Sequence, residues 1–357
     1  MEEDWNLWLI GGGFVIGLSL GALVQRSRFC LVAAVSNLAL MRDYRQLHAF
    51  LAAVVVGTLG TLLLELGDWA PIAQSSYRNA NLDWLGAGLG GLAFGFGAML
   101  AGGCAARTLV RAAEGNLGSI IALLGFALGG MAALYGVLEP VHGWLRQQTA
   151  VALPGGDGGL GNLVGVPGWL PQLLIVLAAL AGIAVFGRTS RSPGLVAVGA
   201  AVGLLVVAGW WVTGYLAQDE FDPKAPASLS IAGPLARTAT YLTSPISPAP
   251  SFGIALIPGI LLGAAAAALL GREFRWTAPA AGHVGQVLVG GILMGVGAMF
   301  AGGCNIGNGL TGVSTCSAEA LLALGFIVMG MLLGLSWLSR DEPTSRHSGA
   351  VLSSGPT

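Results

Sequence analysis

Three cysteines sit where chemistry is possible. Cys104 closes the four residues Ala-Gly-Gly-Cys at 101–104, and Cys304 closes the same four at 301–304, two hundred positions later. Cys30 ends the run Leu23–Cys30, LVQRSRFC, directly after Arg26 and Arg28. In apolar surroundings a thiol's pKa rises, so it stays a neutral S–H group and a weak donor. Such a donor suits a soft, polarizable sulfur atom better than a hydrated phosphate oxygen. The expected guest is therefore an anion with an exposed sulfur. The spacing shows no CxxC pairing and no His/Cys cluster at zinc distances, so neither a disulfide framework nor a metal is expected. Cys316, in VSTCSAE, faces Asn116 at the matching position of the other half and reads as a packing residue.

Around the thiols stand groups with supporting roles. Gly102, Gly103, Gly302 and Gly303 let the backbone turn and come close to a substrate, or serve helix packing. Arg26 and Arg28 are either anchors at the membrane surface or collectors of the departing anion. Arg107 and Arg111, one turn apart on one face, have the same two readings, with Glu114 able to neutralise one of them. Asn305 and Asn308 stand where the other half has Ala105 and Thr108, and bonding to local backbone is their plain reading. The histidines His48, His142, His283 and His347 fall near predicted helix ends and read as interface residues.

These residues are positioned by a duplicated apolar unit. Gly88–Cys104 returns as Leu288–Cys304 with ten of seventeen positions identical, and the register continues from Leu124, Gly125 and Phe126 to Leu324, Gly325 and Phe326. Apolar residues make up 55% of the 357 and charged residues only 9%. A soluble domain carries about 25% charge, so this composition predicts an all-α polytopic membrane protein. Nine crossings are expected, at about 6–25, 48–66, 85–102, 118–138, 169–187, 193–217, 251–270, 286–301 and 318–338. The acidic start and the lack of a cleavage site make the first run a permanent helix rather than a signal peptide. With the N-terminus outside, twelve arginines fall on the cytoplasmic side and only Arg78, Arg146, Lys224 and Arg237 outside. That is the positive-inside pattern, and it also puts the C-terminus in the cytoplasm.

The same assignment sends the helix before Cys104 inward and the helix before Cys304 outward, which is an inverted internal repeat. The reading is one transmembrane domain, 1–340, with repeat one at about 1–138 and repeat two at about 190–338. Residues 341–357 form a disordered cytoplasmic tail. The segments 105–115 and 305–315 are too short to span. They predict half-helices whose N-terminal N–H groups and dipoles face the centre and favour an anion. Phe29–Met41 is re-entrant in the same way, with its mate expected in 221–245, where SLSIAGPLARTATYL has serines but no cysteine. The loops 139–168 and 218–250 are expected to fold over the mouth. The only lysine, Lys224, has no glycine-rich phosphate cradle before it, so ATP is not the energy source. No nucleic-acid partner is expected.

LVQRSRFC, AGGCAARTLVRAAEGNLGSI (Ala101–Ile120) and AGGCNIGNGLTG (Ala301–Gly312) closely resemble the YeeE/YedE sulphur-transport family of bacterial inner-membrane proteins. The resemblance covers essentially the whole chain. It implies an hourglass-shaped helical fold with loops plugging the waist, no cofactor, and uptake of thiosulfate into the cytoplasm. It further implies that Cys30, Cys104 and Cys304 are the pathway cysteines, passing the anion along by S–H···S bonds. A small cytoplasmic sulphur-carrier protein is a partner of some members. Three alternatives stay open: a selenium-compound or other sulfur-oxyanion transporter, a membrane sulfurtransferase that forms a cysteine persulfide, and a non-conducting accessory subunit. The activity expected is transport rather than catalysis. A dianion moving inward costs ~4.6 kcal/mol per 100 mV, from ~2.3 per charge, and Glu319 is the weak candidate for a compensating proton site.

Overall fold

In hydrocarbon every backbone N–H and C=O must be bonded within the protein, and for runs of this composition that means helix. The computed structural model describes residues 2–186, 192–218, 224–243 and 251–341. It is an all-α polytopic membrane protein. In chain order the helices are α1 Glu2–Ser27, α2 Leu31–Met41, α3 Arg45–Leu66, α4 Trp84–Leu100, α5 Ala105–Ala113, α6 Leu117–Leu134 and α7 Glu139–Thr149. They continue as α8 Leu160–Val164, α9 Trp169–Phe186, α10 Pro193–Trp211, α11 Ala232–Thr243, α12 Phe252–Leu270, α13 Val284–Phe300 and α14 Ala318–Asp341. Two π-helical turns, Val212–Leu216 and Gly307–Gly312, extend α10 and follow Cys304.

Among the described residues, eight helical stretches are long and apolar enough to cross a membrane, one fewer than the nine crossings expected. The ninth, α13, has 17 residues, as does α4. At 1.5 Å per residue each is about 25 Å long, short of the ~30 Å hydrocarbon core. Both stop early for one reason. Gly102 (φ 70°) and Gly302 (φ 67°) adopt the left-handed conformation, and their N–H groups bond back to Met99 and Met299 at 3.1 and 3.3 Å. At the first break Gly103 N–H also bonds Ala98 O, 3.0 Å, completing a Schellman motif.

The stretch 139–168, expected as loop, instead holds α7, α8 and a strand, β2 Ala150–Ala152, which pairs antiparallel with β1 Asn81–Asp83. A 12-residue helix, α11, occupies the segment where the mate of the 11-residue α2 was expected. His48, expected at an interface, is buried on α3 with no partner for its Nε2 among the described residues. The tail 342–357 lies outside the described residues, as do Arg188, Arg191, Arg346 and His347.

Packing partners exchange across the two-hundred-residue offset. α1 lies along α12 as α10 lies along α3, and α4 packs on α14 as α13 packs on α6. α4 and α13 also pack on each other at the centre, through four glycines in reciprocal contact. A Cβ at Gly90 would lie 2.7 Å from Gly297 O, and one at Gly290 would lie 2.8 Å from Gly97 O. The reverse contacts, Gly297 to Gly90 O and Gly97 to Gly290 O, are both 2.6 Å. Backbone meets backbone here, so nothing can yield. Gly290→Ala is expected to cost about 1–3 kcal/mol, as overpacking does. Gly325→Ala, on α14 with open space around it, should leave stability unchanged or raise it slightly. Thermal unfolding of the two variants in detergent measures the difference, and equal midpoints would contradict it.

Candidate functional site

Each of the three cysteines immediately precedes a short helical segment. Cys30 is the N-cap of α2 and Cys104 the N-cap of α5, while Cys304 leads into the turn before Gly307–Gly312. Helix starts carry free N–H groups and the positive end of the backbone dipole. Gly307 N–H uses the sulfur of Cys304 as its acceptor, at 3.5 Å. All three side chains are buried, Cys304 completely.

Cys30 and Cys104, 74 residues apart in sequence, bring their sulfurs to 3.4 Å. That is a thiol–thiol contact, far longer than the ~2.05 Å of a disulfide, and all four cysteines are free. Cys304 sits at the matching break, after α13, which packs on α4. Cys316 stands apart: its φ of 54° turns the chain, its carbonyl accepts from Leu160 N–H at 2.9 Å, and burial pushes its thiol up to about 12. It does the work of a turn residue.

At each break, side chains from the segment that follows donate to carbonyls of the turn. At the first break Thr108 donates to Gly103 O (3.3 Å) and Arg111 to Gly102 O (3.1 Å). At the second, Asn308 Nδ2 serves both Ala301 O (2.9 Å) and Gly303 O (3.2 Å). Thr108 and Asn308 are thus equivalent positions doing the same task, as the plain reading of Asn308 expected. Asn305 is buried beside Cys304, and its Oδ1 has no partner among the described residues. Arg107 pairs with Glu114 at 3.2 Å, both largely buried. Arg26 and Arg28 are exposed, and the left-handed Arg28 (φ 56°) makes the corner between α1 and Cys30.

A cavity of about 510 Å³ is lined in part by Gly302, Gly303 and Asn308 of the Cys304 break. Arg146, Lys224 and Arg237 line it, three of the four cations the charge pattern assigns outside. The fourth, Arg78, is buried: it pairs with Glu65 (2.7 Å) and donates to Thr315 O (3.2 Å), which pins the chain after the π-helical turn.

The sequence reading missed Tyr77, Ser228 and Ser230, which also line the cavity. Burial pushes the Tyr77 phenol above its ordinary range, so it remains a neutral donor. The Tyr77 and Ser230 hydroxyls border Gly307, where an added Cβ would meet them at 2.8 and 3.2 Å. Ser230 stands two hundred positions after Cys30 and two residues before α11. The signal lay in the serines of SLSIAGP, visible once that segment is taken as the mate of α2.

The model for the sulphur-transport family matches residues 26–333. The chain belongs to that family. Thiosulfate transporter TsuA of Escherichia coli (strain K12) is 29% identical over 363 residues, covering 94% of this chain and 96% of the relative. TsuA of Spirochaeta thermophila is 32% identical over 335 residues, 90% of this chain and 97% of the relative. A probable transporter, YedE of Salmonella typhimurium, is 30% identical over 109 residues, covering 30% of this chain and 25% of the relative. The matched residues include the three buried thiols and the two glycine breaks.

The thiol pair makes a direct prediction. Diamide, which takes two electrons and two protons from a pair of thiols, should join Cys30 to Cys104. Denatured protein would then titrate two free thiols in place of four, with the crosslinked peptides identified by mass. Four remaining thiols would contradict the 3.4 Å contact.

Proposed function

We propose that this chain imports thiosulfate, an anion with an exposed terminal sulfur, across a bacterial inner membrane through a path lined by Cys304, Cys104 and Cys30. The observation that carries the reading is the pair of free thiols 3.4 Å apart, with a third thiol directly after Gly302 and Gly303, which line a cavity that three cations also line. Two relatives aligned over 90% or more of the chain bear the name thiosulfate transporter, which supports the same substrate.

The charge pattern puts the N-terminus in the periplasm and the C-terminus in the cytoplasm, and makes the two repeats inverted copies. The cavity is then the outer vestibule. Arg146, Lys224 and Arg237 raise the local anion concentration there. At the waist the anion leaves water and meets S–H donors and helix N-termini. Each weak S–H···S contact replaces part of the hydration shell, and none binds tightly enough to trap the ion. Beyond Cys30 and Cys104 the cytoplasmic arginines receive it, and a small sulphur-carrier protein is a fitting recipient.

The reading is tested with labelled thiosulfate and proteoliposomes containing only this chain. Wild-type protein takes up the label, and thiosulfate outcompetes sulfate, which lacks the soft sulfur end. Cys104→Ala and Cys304→Ala each lower the initial rate by about tenfold, the weight of one hydrogen bond of about 1.4 kcal/mol lost at the barrier. No uptake by wild-type protein, or undiminished uptake by both variants, would contradict it.

A further inference from the structure

The two glycine breaks are alike in backbone and opposite in the charge set over them. At Gly102 the nearest side-chain atom to an added Cβ is Arg111 Nη1, at 3.7 Å; at Gly302 it is Glu319 Oε1, at 3.4 Å. The position matching Glu319 in the first half is Ser119, so the acid belongs to the outer break alone. Glu319 is half-buried in the first turn of α14 and lines the cavity beside Gly302 and Gly303. Among the described residues it forms no salt bridge.

The other charged groups facing this floor are accounted for. Asp83, the cap of α4, accepts from Gly86 N–H (2.9 Å) and Thr149 Oγ1 (3.2 Å) and is committed to those bonds. α7 contributes His142 and Arg146 to the wall, and Lys224 and Arg237 complete its charges. α2, which also packs on α14, carries no charged residue.

We propose that Glu319 is a proton-binding site occupied together with the anion, so that each dianion reaching the Cys304 break brings a proton onto this carboxyl. The inference rests on the transport reading above. A dianion at Gly302–Gly303 comes within a few ångströms of Glu319, in a setting where like charges repel strongly. Protonation removes that repulsion and turns the carboxyl into a donor for the anion's oxygens. Linkage then acts in both directions: the anion promotes protonation, and protons tighten anion binding. The inner break, with Arg111 in the equivalent place, needs no such neutralisation.

The test uses full-length protein in nanodiscs, with thiosulfate titrated by calorimetry in buffers of different protonation enthalpy. Wild-type protein takes up protons on binding, and its affinity tightens as pH falls, by up to about tenfold per pH unit for one linked proton. Glu319→Gln takes up fewer protons and has a flatter affinity profile. The alternative, a purely structural charge at the start of α14, would lower the unfolding temperature of Glu319→Gln and leave proton uptake at the wild-type value, which overturns the proposal. Wild-type affinity that does not vary with pH overturns it even if the variant fails to fold. Wild-type protein that binds no thiosulfate at all defeats the transport reading as well, whereas binding without proton uptake defeats this inference alone.

Discussion

Everything at the centre of this protein depends on making a break in a helix acceptable at membrane depth. An unpaired carbonyl in hydrocarbon costs several kcal/mol, so a chain break there needs a bonding partner for each group it frees. Ala-Gly-Gly-Cys meets that need in few residues. Glycine takes the left-handed turn, the preceding carbonyls are closed by back-bonded N–H groups, and further carbonyls accept from Thr108 and Arg111 in one half and from Asn308 in the other. The cysteine falls at the first residue of the next segment. Its sulfur therefore lies beside the N-terminal end of that segment.

The duplication supplies the frame, and its asymmetries set the two breaks apart. Four glycines let α4 and α13 approach backbone to backbone, which brings the two breaks close to the α4–α13 contact. Two departures from symmetry bear on an anion's path. Cys30 meets Cys104 on one side, while Ser230 and Tyr77 border the segment after Cys304 on the other. Arginine stands over Gly102 and glutamate over Gly302. On the proposed reading, hydroxyls and cations meet the hydrated anion outside, and thiols meet its sulfur once water has been shed.

Much of this was legible in the residues. The repeat at an offset of two hundred placed both breaks, and the apolar runs placed the long helices to within a few residues. The short run after Cys30 was recognised as unable to span, and it is the 11-residue α2. What escaped was tertiary. Nothing local marks Tyr77, whose position depends on the chain between α3 and α4 folding back onto Trp210 and Gly307. Arg78 counts as an outer cation in sequence, yet its role as a buried clamp needs Glu65, Asp157 and Thr315 brought together from three separate segments. α7 was read as loop because its first turn holds Pro140 and its apolar residues are few, and it is held by packing on α4 and α6.

The central claim is that soft thiols at the waist receive the sulfur end of the anion. Selenosulfate, with selenium in place of the terminal sulfur, reports that end directly by anomalous scattering in crystals of the full chain. The account predicts a selenium peak within about 4 Å of Cys304 or Cys104 Sγ, the reach of a sulfur hydrogen bond, with the oxygens turned toward the vestibule. A peak confined to the cationic wall of the vestibule, or an anion lying with its oxygens against the thiols, would contradict it.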